Sequence, residues 1–555
     1  MSEPLDRFFE HYYRARPVNA TFTGIHEYDR LLPDWSRSGL QDLCDEMREI
    51  DAALAAVGHE PLPDAAHAID VVLARDFLAI QLAENDSTHG MRRNPSLWTG
   101  EAVMGVAGLM LRDFDQLGQR FDAATARLQA IPEFLSDARD ALASAAIPVA
   151  WRDKAVRECQ GGAILFSRGV DLWIASARGR VDGGRLRAAA TAAHDALLLF
   201  AEWLGLKERA AADAIGCGPE LYALLLARGH HCTKSASELL VQARSVFQRE
   251  RAKLHEMARE LAGSFTAAQE KVATNHPAPD DYLAAMDRTW TESRRAGADV
   301  VTWPEWPIRY VPYPRWIEEA APYLYLLHYR SPAPFDQYDI HDYVVPRLPT
   351  DGTDRFLRSW NHSVIKLNHV VHHGAIGHHV QNWNAYHRAK SRIGQVAAVD
   401  CANRIGMFGG GTVAEGWACY VTQLMDELGY LDPLDRFAEQ HTRVRFMARA
   451  IVDIELHHGS MTLDDGIRFY SEEVGMGADA ARGEAVRNSM YPCAATMYWL
   501  GTDGILKLRD DVRRARGSDW SLKAFHDDFL QYGSIPVPII AEMMLKAQPQ
   551  VTSPT

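Results

Sequence analysis

Apolar residues recur every three or four positions along most of the chain, the spacing that buries one face of a helix. The clearest run is 66–85 (AHAIDVVLARDFLAIQLAEN), and the pattern returns at 121–145, 186–205 and 235–263. These segments are rich in Ala, Leu, Arg and Glu, which lose little side-chain freedom in a helix. Pro132, Pro148, Gly161-Gly162 and the GCGP stretch at 216–219 read as short breakers between or near them. The helical spacing fails between about 300 and 350, where VTWPEWPIRYVPYPRW, SPAPFD and VVPRLP crowd prolines among aromatic residues. Proline removes a donor and fixes φ, so extended segments with a short sheet or hairpin are expected there, lying over a helical body. Helical spacing resumes at 355–390, 412–428, 433–457, 462–474, 480–506 and 521–531. The expected fold is mainly α, a single large helical domain over 1–547 followed by a disordered tail at 548–555 (QPQVTSPT).

Composition narrows the function classes. Of 555 residues, 47% are hydrophobic and 24% charged, enough to build a sizeable core. The net charge of -14 and the lack of a basic run argue against a nucleic-acid partner. No apolar run approaches the roughly 18–20 residues of a membrane span, and no membrane partner is expected. The seven cysteines are scattered, with no C-x-x-C pair, so a disulfide scaffold is not expected and a reducing compartment is. The N-terminus lacks the basic and apolar regions of a signal peptide. A cytoplasmic location is the expectation. The oligomeric state stays open, a homodimer among the options.

The chemistry concentrates at 369–379, where five of the 23 histidines fall within eleven residues. Imidazole is the commonest metal ligand, and several in close reach suit zinc or another divalent transition metal. Two interior glycines, Gly374 and Gly377, cost a helix about 1 kcal/mol each relative to alanine. On an unbroken helix His369 and His373 share a face. His372 and His379 also share one, but about 10.5 Å apart along the axis. His372 and His378 would point about 120° apart on such a helix. They meet at one ion only if the helix is broken or bulged between them, which Gly377 permits. Downstream, Thr412-Val413-Ala414-Glu415 has the form of a capping box, so Glu415 could serve as a helix cap.

The sequence resembles the DUF885 family, bacterial proteins whose fold is similar to the helical carboxypeptidases of the M32 type. The family motif H-E-x-x-P-G-H-H-x-Q is matched by H-H-G-A-I-G-H-H-V-Q at 372–381, and E-G-W-A-x-Y by E-G-W-A-C-Y at 415–420. Stretches beginning at Asn19, Val452, Glu484, Phe525 and Gly533 follow in family order. The resemblance implies a zincin-like helical domain with the metal in a deep groove and the metal-site half at about 355–547. It implies His372, His378 and Glu415 as ligands of zinc, a well-attested donor set for a catalytic ion with an open position. His379 then falls near the ion or on the substrate.

Two departures bear on activity. His373 stands where the family has glutamate, the residue that takes a proton from water in zinc hydrolases, and Ile376 stands where it has proline. An imidazole can act as a base near neutral pH, so His373 or His379 could shuttle protons. Tyr498 matches a family tyrosine and is expected to steady an oxyanion, with Tyr491 seven residues before it on the substrate. Arg487 could clamp an anionic group or pair with Glu484. Asp453 and His457, four apart, fit a carboxylate that orients a histidine behind the ligands. The reading is a metal-dependent, hydrolase-like protein acting on a small peptide or amide. The alternatives are a homologue that binds metal or peptide without cleaving, and a metal enzyme of lyase or redox type.

Overall fold

Capping side chains set where the long helices begin in the computed structural model, which describes residues 3–57, 64–207, 215–324, 328–337, 340–402 and 404–547. The Asp64 carboxylate accepts from the His67 amide and opens Ala65–Asp86. Ser235 and Glu238 form a reciprocal capping box at the head of Ala236–Ala262, which Gly263 ends in the left-handed conformation. Asp432 and Asp435 do the same for Pro433–His457, with proline at its first position. Each such cap is worth about 1 kcal/mol, because it satisfies amides that have no partner inside the helix.

Apolar faces of these helices close into one helical domain. Its central element is Gly411–Glu427, where Val413, Trp417, Tyr420, Val421 and Leu424 are all buried. That helix lies against Met497–Arg516 with no side chain between the backbones at their crossing. A Cβ on Gly501 would sit 2.1 Å from the Thr412 carbonyl oxygen, and one on Gly416 would sit 2.5 Å from the Gly501 Cα. Small residues permit that approach, and it fixes the height and rotation of Glu415.

The extended region is a two-stranded sheet, Ile308–Pro312 beside His341–Val345. The strands run parallel, so a crossover and not a hairpin joins them. Two expected breakers lie inside helices. Pro132 lies inside Leu117–Ala141. Gly161 and Gly162 lie inside Val149–Ile164, where a side chain on Gly162 would strike Val103 and Leu197. The two glycines mark close packing, which a breaker rule reads as an end. Conversely, the expected helix 480–506 is two, Ala478–Met490 and Met497–Arg516, parted by a turn at Pro492. The expected helix 355–390 is also divided, at the histidines. The tail at 548–555 lies outside the described residues. No helix among the described residues is long and apolar enough to cross a membrane.

Candidate metal centre

The histidine segment begins as a widened π-helix, Ile365–Gly374, and then stops. The Ala375 amide reaches back five residues to Val370, and the Gly377 amide reaches six, to Val371. A new helix, His378–Arg388, starts on a different axis. Indole donors from two directions hold the break: Trp290 to the Gly374 carbonyl and Trp417 to the Ile376 carbonyl, each at 2.8 Å. A Cβ at residue 377 would lie 1.8 Å from the His372 carbonyl oxygen, so only glycine fits.

This break brings His372 and His378 together, with ring centroids 4.9 Å apart and planes almost perpendicular. Glu415, from the central helix, faces both. Its Oε2 lies 3.4 Å from His372 Nε2 and 3.8 Å from His378 Nε2. His373 completes the group, since one ring nitrogen from each of His372, His373 and His378 lies within 4.8 Å of the others. Glu415 Oε2 and His373 Nδ1 are shut off from solvent and lack a hydrogen-bond partner. Orphaned buried polar atoms are rare and costly, and here both belong to a converging nitrogen and oxygen donor set of the kind that divalent transition ions take. The residues present fit such an ion.

Electrostatics keeps His373, His378 and Glu415 in the state a ligand needs. Burial lowers His378 to about 4, partly opposed by Glu415, and lowers His373 well below the usual imidazole range with help from His372 and His378. Burial alone would raise Glu415, but the facing His372 and His378 and the more distant Arg487 pull it down to about 2. Neutral imidazoles beside an ionised carboxylate are the metal-binding forms.

Glu415 is not a capping residue. The helix starts at Gly411, one residue before Thr412, and the Thr412 hydroxyl instead accepts from the Val537 amide at 3.2 Å. His369 stands apart from the cluster, stacked 4.0 Å from Trp360 and bonded to the Tyr343 hydroxyl at 2.8 Å. His379 corrects the expectation of a proton shuttle: it is 1% exposed, lies outside the cavity lining, and its Nε2 donates to the Trp306 carbonyl at 2.8 Å. Directly following His378 on a helix, it must point to another side. Asp453 and His457 are fully buried but do not reach the cluster. His457 donates from Nε2 to the Asn488 carbonyl and accepts at Nδ1 from the Cys217 amide, while Asp453 accepts from the Tyr222 hydroxyl. Their nearest approach to each other is 3.6 Å. They support the floor beneath Asn488, and the expectation that they orient a ligand is not met.

The cluster opens on a cavity of about 330 Å³, also lined by Arg487, Tyr491 and Tyr498. Sequence reasoning missed several of its walls. Tyr329 comes from the proline-rich region and lies 6.2 Å from the His373 ring and 6.3 Å from that of His378. Arg445, Arg449 and Glu484 also line it. A spacing of four between arginines in the otherwise apolar run RVRFMARAIV was the available signal for the first two.

The fold and site define a helical protein with a buried, histidine-rich candidate metal centre at a cavity. The profile of the family described as "Bacterial protein of unknown function (DUF885)" matches residues 17–544, and the chain belongs to that family. Two solved structures share the fold. A Shewanella oneidensis protein of unknown function, provisionally described as a lipoprotein, is 22% identical with a TM-score of 0.77, over 98% of this chain and 99% of its own. A Colwellia psychrerythraea protein described the same way is 16% identical with a TM-score of 0.76, over 98% of both chains. An M32 carboxypeptidase from Deinococcus radiodurans overlaps 92% of this chain and 94% of its own at 14% identity, but its TM-score of 0.32 carries no argument. No curated protein matches. Beside the two lipoprotein descriptions, the expectation of a cytoplasmic chain does not stand. It leaned on scattered thiols; all seven are unpaired, but five are buried, and a buried thiol is protected in any compartment.

Proposed function

We propose that this chain is a metal-dependent hydrolase of peptidase-related type, acting on a small peptide or amide. His372, His378 and Glu415 would hold a divalent transition ion, zinc being the foremost choice. The observation that carries the reading is the orphaned Glu415 Oε2 facing two imidazoles across a broken helix. A bound ion of this kind would polarise a carbonyl and make water more acidic. The protein's own groups supply the rest. His373, with a ring nitrogen within 4.8 Å of those of His372 and His378, would take a proton there and return it to a leaving amine. Tyr498 lines the same cavity and would donate its hydroxyl to a developing oxyanion. Tyr491 and Arg487 would hold the substrate beside it.

Elemental analysis of protein purified without added metal tests the ligand set. About one equivalent of zinc or another transition ion is expected in the wild type, falling below about a tenth in His372→Ala and Glu415→Gln. Turnover of a peptide library by the wild type and by His373→Glu then tests the chemistry. Activity in the wild type supports His373 as the base. Activity in His373→Glu alone would mark a metal-binding homologue that no longer cleaves. Absence of metal, with no effect of His372→Ala, defeats the proposal.

A further inference from the structure

Two helices, Pro433–His457 and Ala478–Met490, give the cavity three guanidinium groups and one carboxylate: Arg445, Arg449, Arg487 and Glu484. The carboxylate is already engaged. Arg449 donates from Nε to Glu484 Oε2 at 2.8 Å and from Nη2 to Oε1 at 2.5 Å, a two-pronged fork that uses both oxygens. Burial would raise Glu484, but Arg449 outweighs it and pulls the carboxyl down to about 2. Glu415, another acid on the cavity wall, faces His372 and His378.

Arg445 lies one helical turn before Arg449, on the same face. Among the described residues it makes no hydrogen bond or ion pair, and its Nε is closed to solvent without an acceptor. Its guanidinium carbon lies 5.5 Å from the Phe446 ring centroid, and Arg449 stands as a like charge beside it. Burial and that neighbour make the charge unfavourable, and the attraction of Glu484 offsets them only in part. Arg445 is half-buried with its Nε closed off, and the one carboxylate that acts on it, Glu484, already spends both oxygens on Arg449. Its position on the wall of the cavity that holds the candidate metal centre says what answers it: a ligand bearing the opposite charge.

We infer that Arg445 is the anchor of an anion-binding subsite, and that the substrate of this cavity carries a carboxylate. The inference rests on the proposed hydrolase for its choice of substrate class, a peptide or amide with a free acid group. The subsite itself depends only on the arginines. A guanidinium matches a carboxylate in planarity and in the spacing of its donors.

Isothermal titration of the full-length, metal-loaded protein with N-acetyl-alanyl-alanine and with its C-terminal amide tests the inference. The acid is expected to bind roughly ten- to a hundred-fold more tightly than the amide. Arg445→Met should erase that difference, and Arg445→Lys should keep part of it. Arg445→Met should also retain the wild-type metal content and melt no lower than wild type, because the charge removed makes no ion pair among the described residues. The acid should raise the melting temperature of the wild type and leave that of Arg445→Met unchanged. Equal affinities for acid and amide, no measurable binding of the acid, or an undiminished difference in Arg445→Met would each overturn the inference. Inorganic phosphate binding as tightly as the acid would overturn the carboxylate assignment. A difference that persists in metal-depleted His372→Ala separates the two claims: the subsite then stands even where the metal reading falls.

Discussion

Gly377 decides whether the candidate site exists. Its backbone angles, φ −77° and ψ −122°, do not lie in the left-handed region, so the demand for glycine comes from space alone. The neighbour that a Cβ would strike is the His372 carbonyl, part of the backbone that carries a candidate ligand. Relief must therefore come from moving His372 or His378. Gly377→Ala is expected to destabilise the protein by about 3 kcal/mol or more and to remove stoichiometric metal. Urea unfolding and elemental analysis measure the two effects, and a variant of wild-type stability with full metal content would contradict the steric account. Glycine as the permissive residue was legible in the sequence, since two histidines 120° apart on a helix can converge only across a break. The family proline that would mark the break is Ile376 here. In its place two tryptophans pin the neighbouring carbonyls, and nothing in the local pattern announces contacts from residues 290 and 417.

At the level of helices, periodicity found most elements and misjudged several ends. Apolar spacing reports a buried face, and Ala65–Asp86 and Ala236–Ala262 followed it to within a residue or two. Glycine and proline were the weak point, because the same residue can end a helix or let two helices touch. Gly162 and Gly501 do the second. The threonine before Glu415 misled for a related reason: a turn at Phe408–Gly410 starts the helix early, and the capping box never forms. The arginine spacing that signals Arg445 was passed over because a charged residue every fourth position usually marks a solvated face, and only the packed structure turns that face toward the cavity. The contact between Gly416 and Gly501 links element packing to the site. Gly501→Ala is expected to cost about 2–3 kcal/mol and to weaken metal binding without touching a ligand, by pushing the Glu415 helix off its position. Thermal melts with zinc titrations measure both effects, and a loss of stability without a change in metal affinity would disconnect this crossing from Glu415.

Across the whole molecule, the cavity depends on segments far apart in sequence, and the N-terminal helices hold one of its walls. Tyr329 belongs to a segment whose Ser331 exchanges hydrogen bonds with Asp400, another cavity-lining residue. A few residues on, the Phe335 amide donates to the Thr23 carbonyl. His26 closes the clamp: it donates from one ring nitrogen to Asp29 at 2.9 Å and from the other to Asp336 at 2.8 Å, while its ring stacks 3.9 Å from Phe114. Thr21 also donates to Asp29, and Arg127 stands 4.0 Å from it. Burial alone would lower the His26 pKa, but the two carboxylates outweigh it and raise it to about 9. A folded-state pKa above the unfolded one means that the folded protein holds the proton more tightly. The stabilisation is therefore complete below about pH 6.5 and is lost as the pH rises through 9. The ring is 26% exposed, so solvent screening reduces the worth of the shift to about 1–2 kcal/mol. Between pH 6 and pH 9.5 the wild type should lose that much more unfolding free energy than His26→Gln, measured by urea denaturation at each pH. Parallel pH profiles for the two proteins would mean that the bridge carries no proton-linked stability. The Tyr329 wall would then be held by the Ser331–Asp400 and Phe335–Thr23 hydrogen bonds without help from a charged bridge.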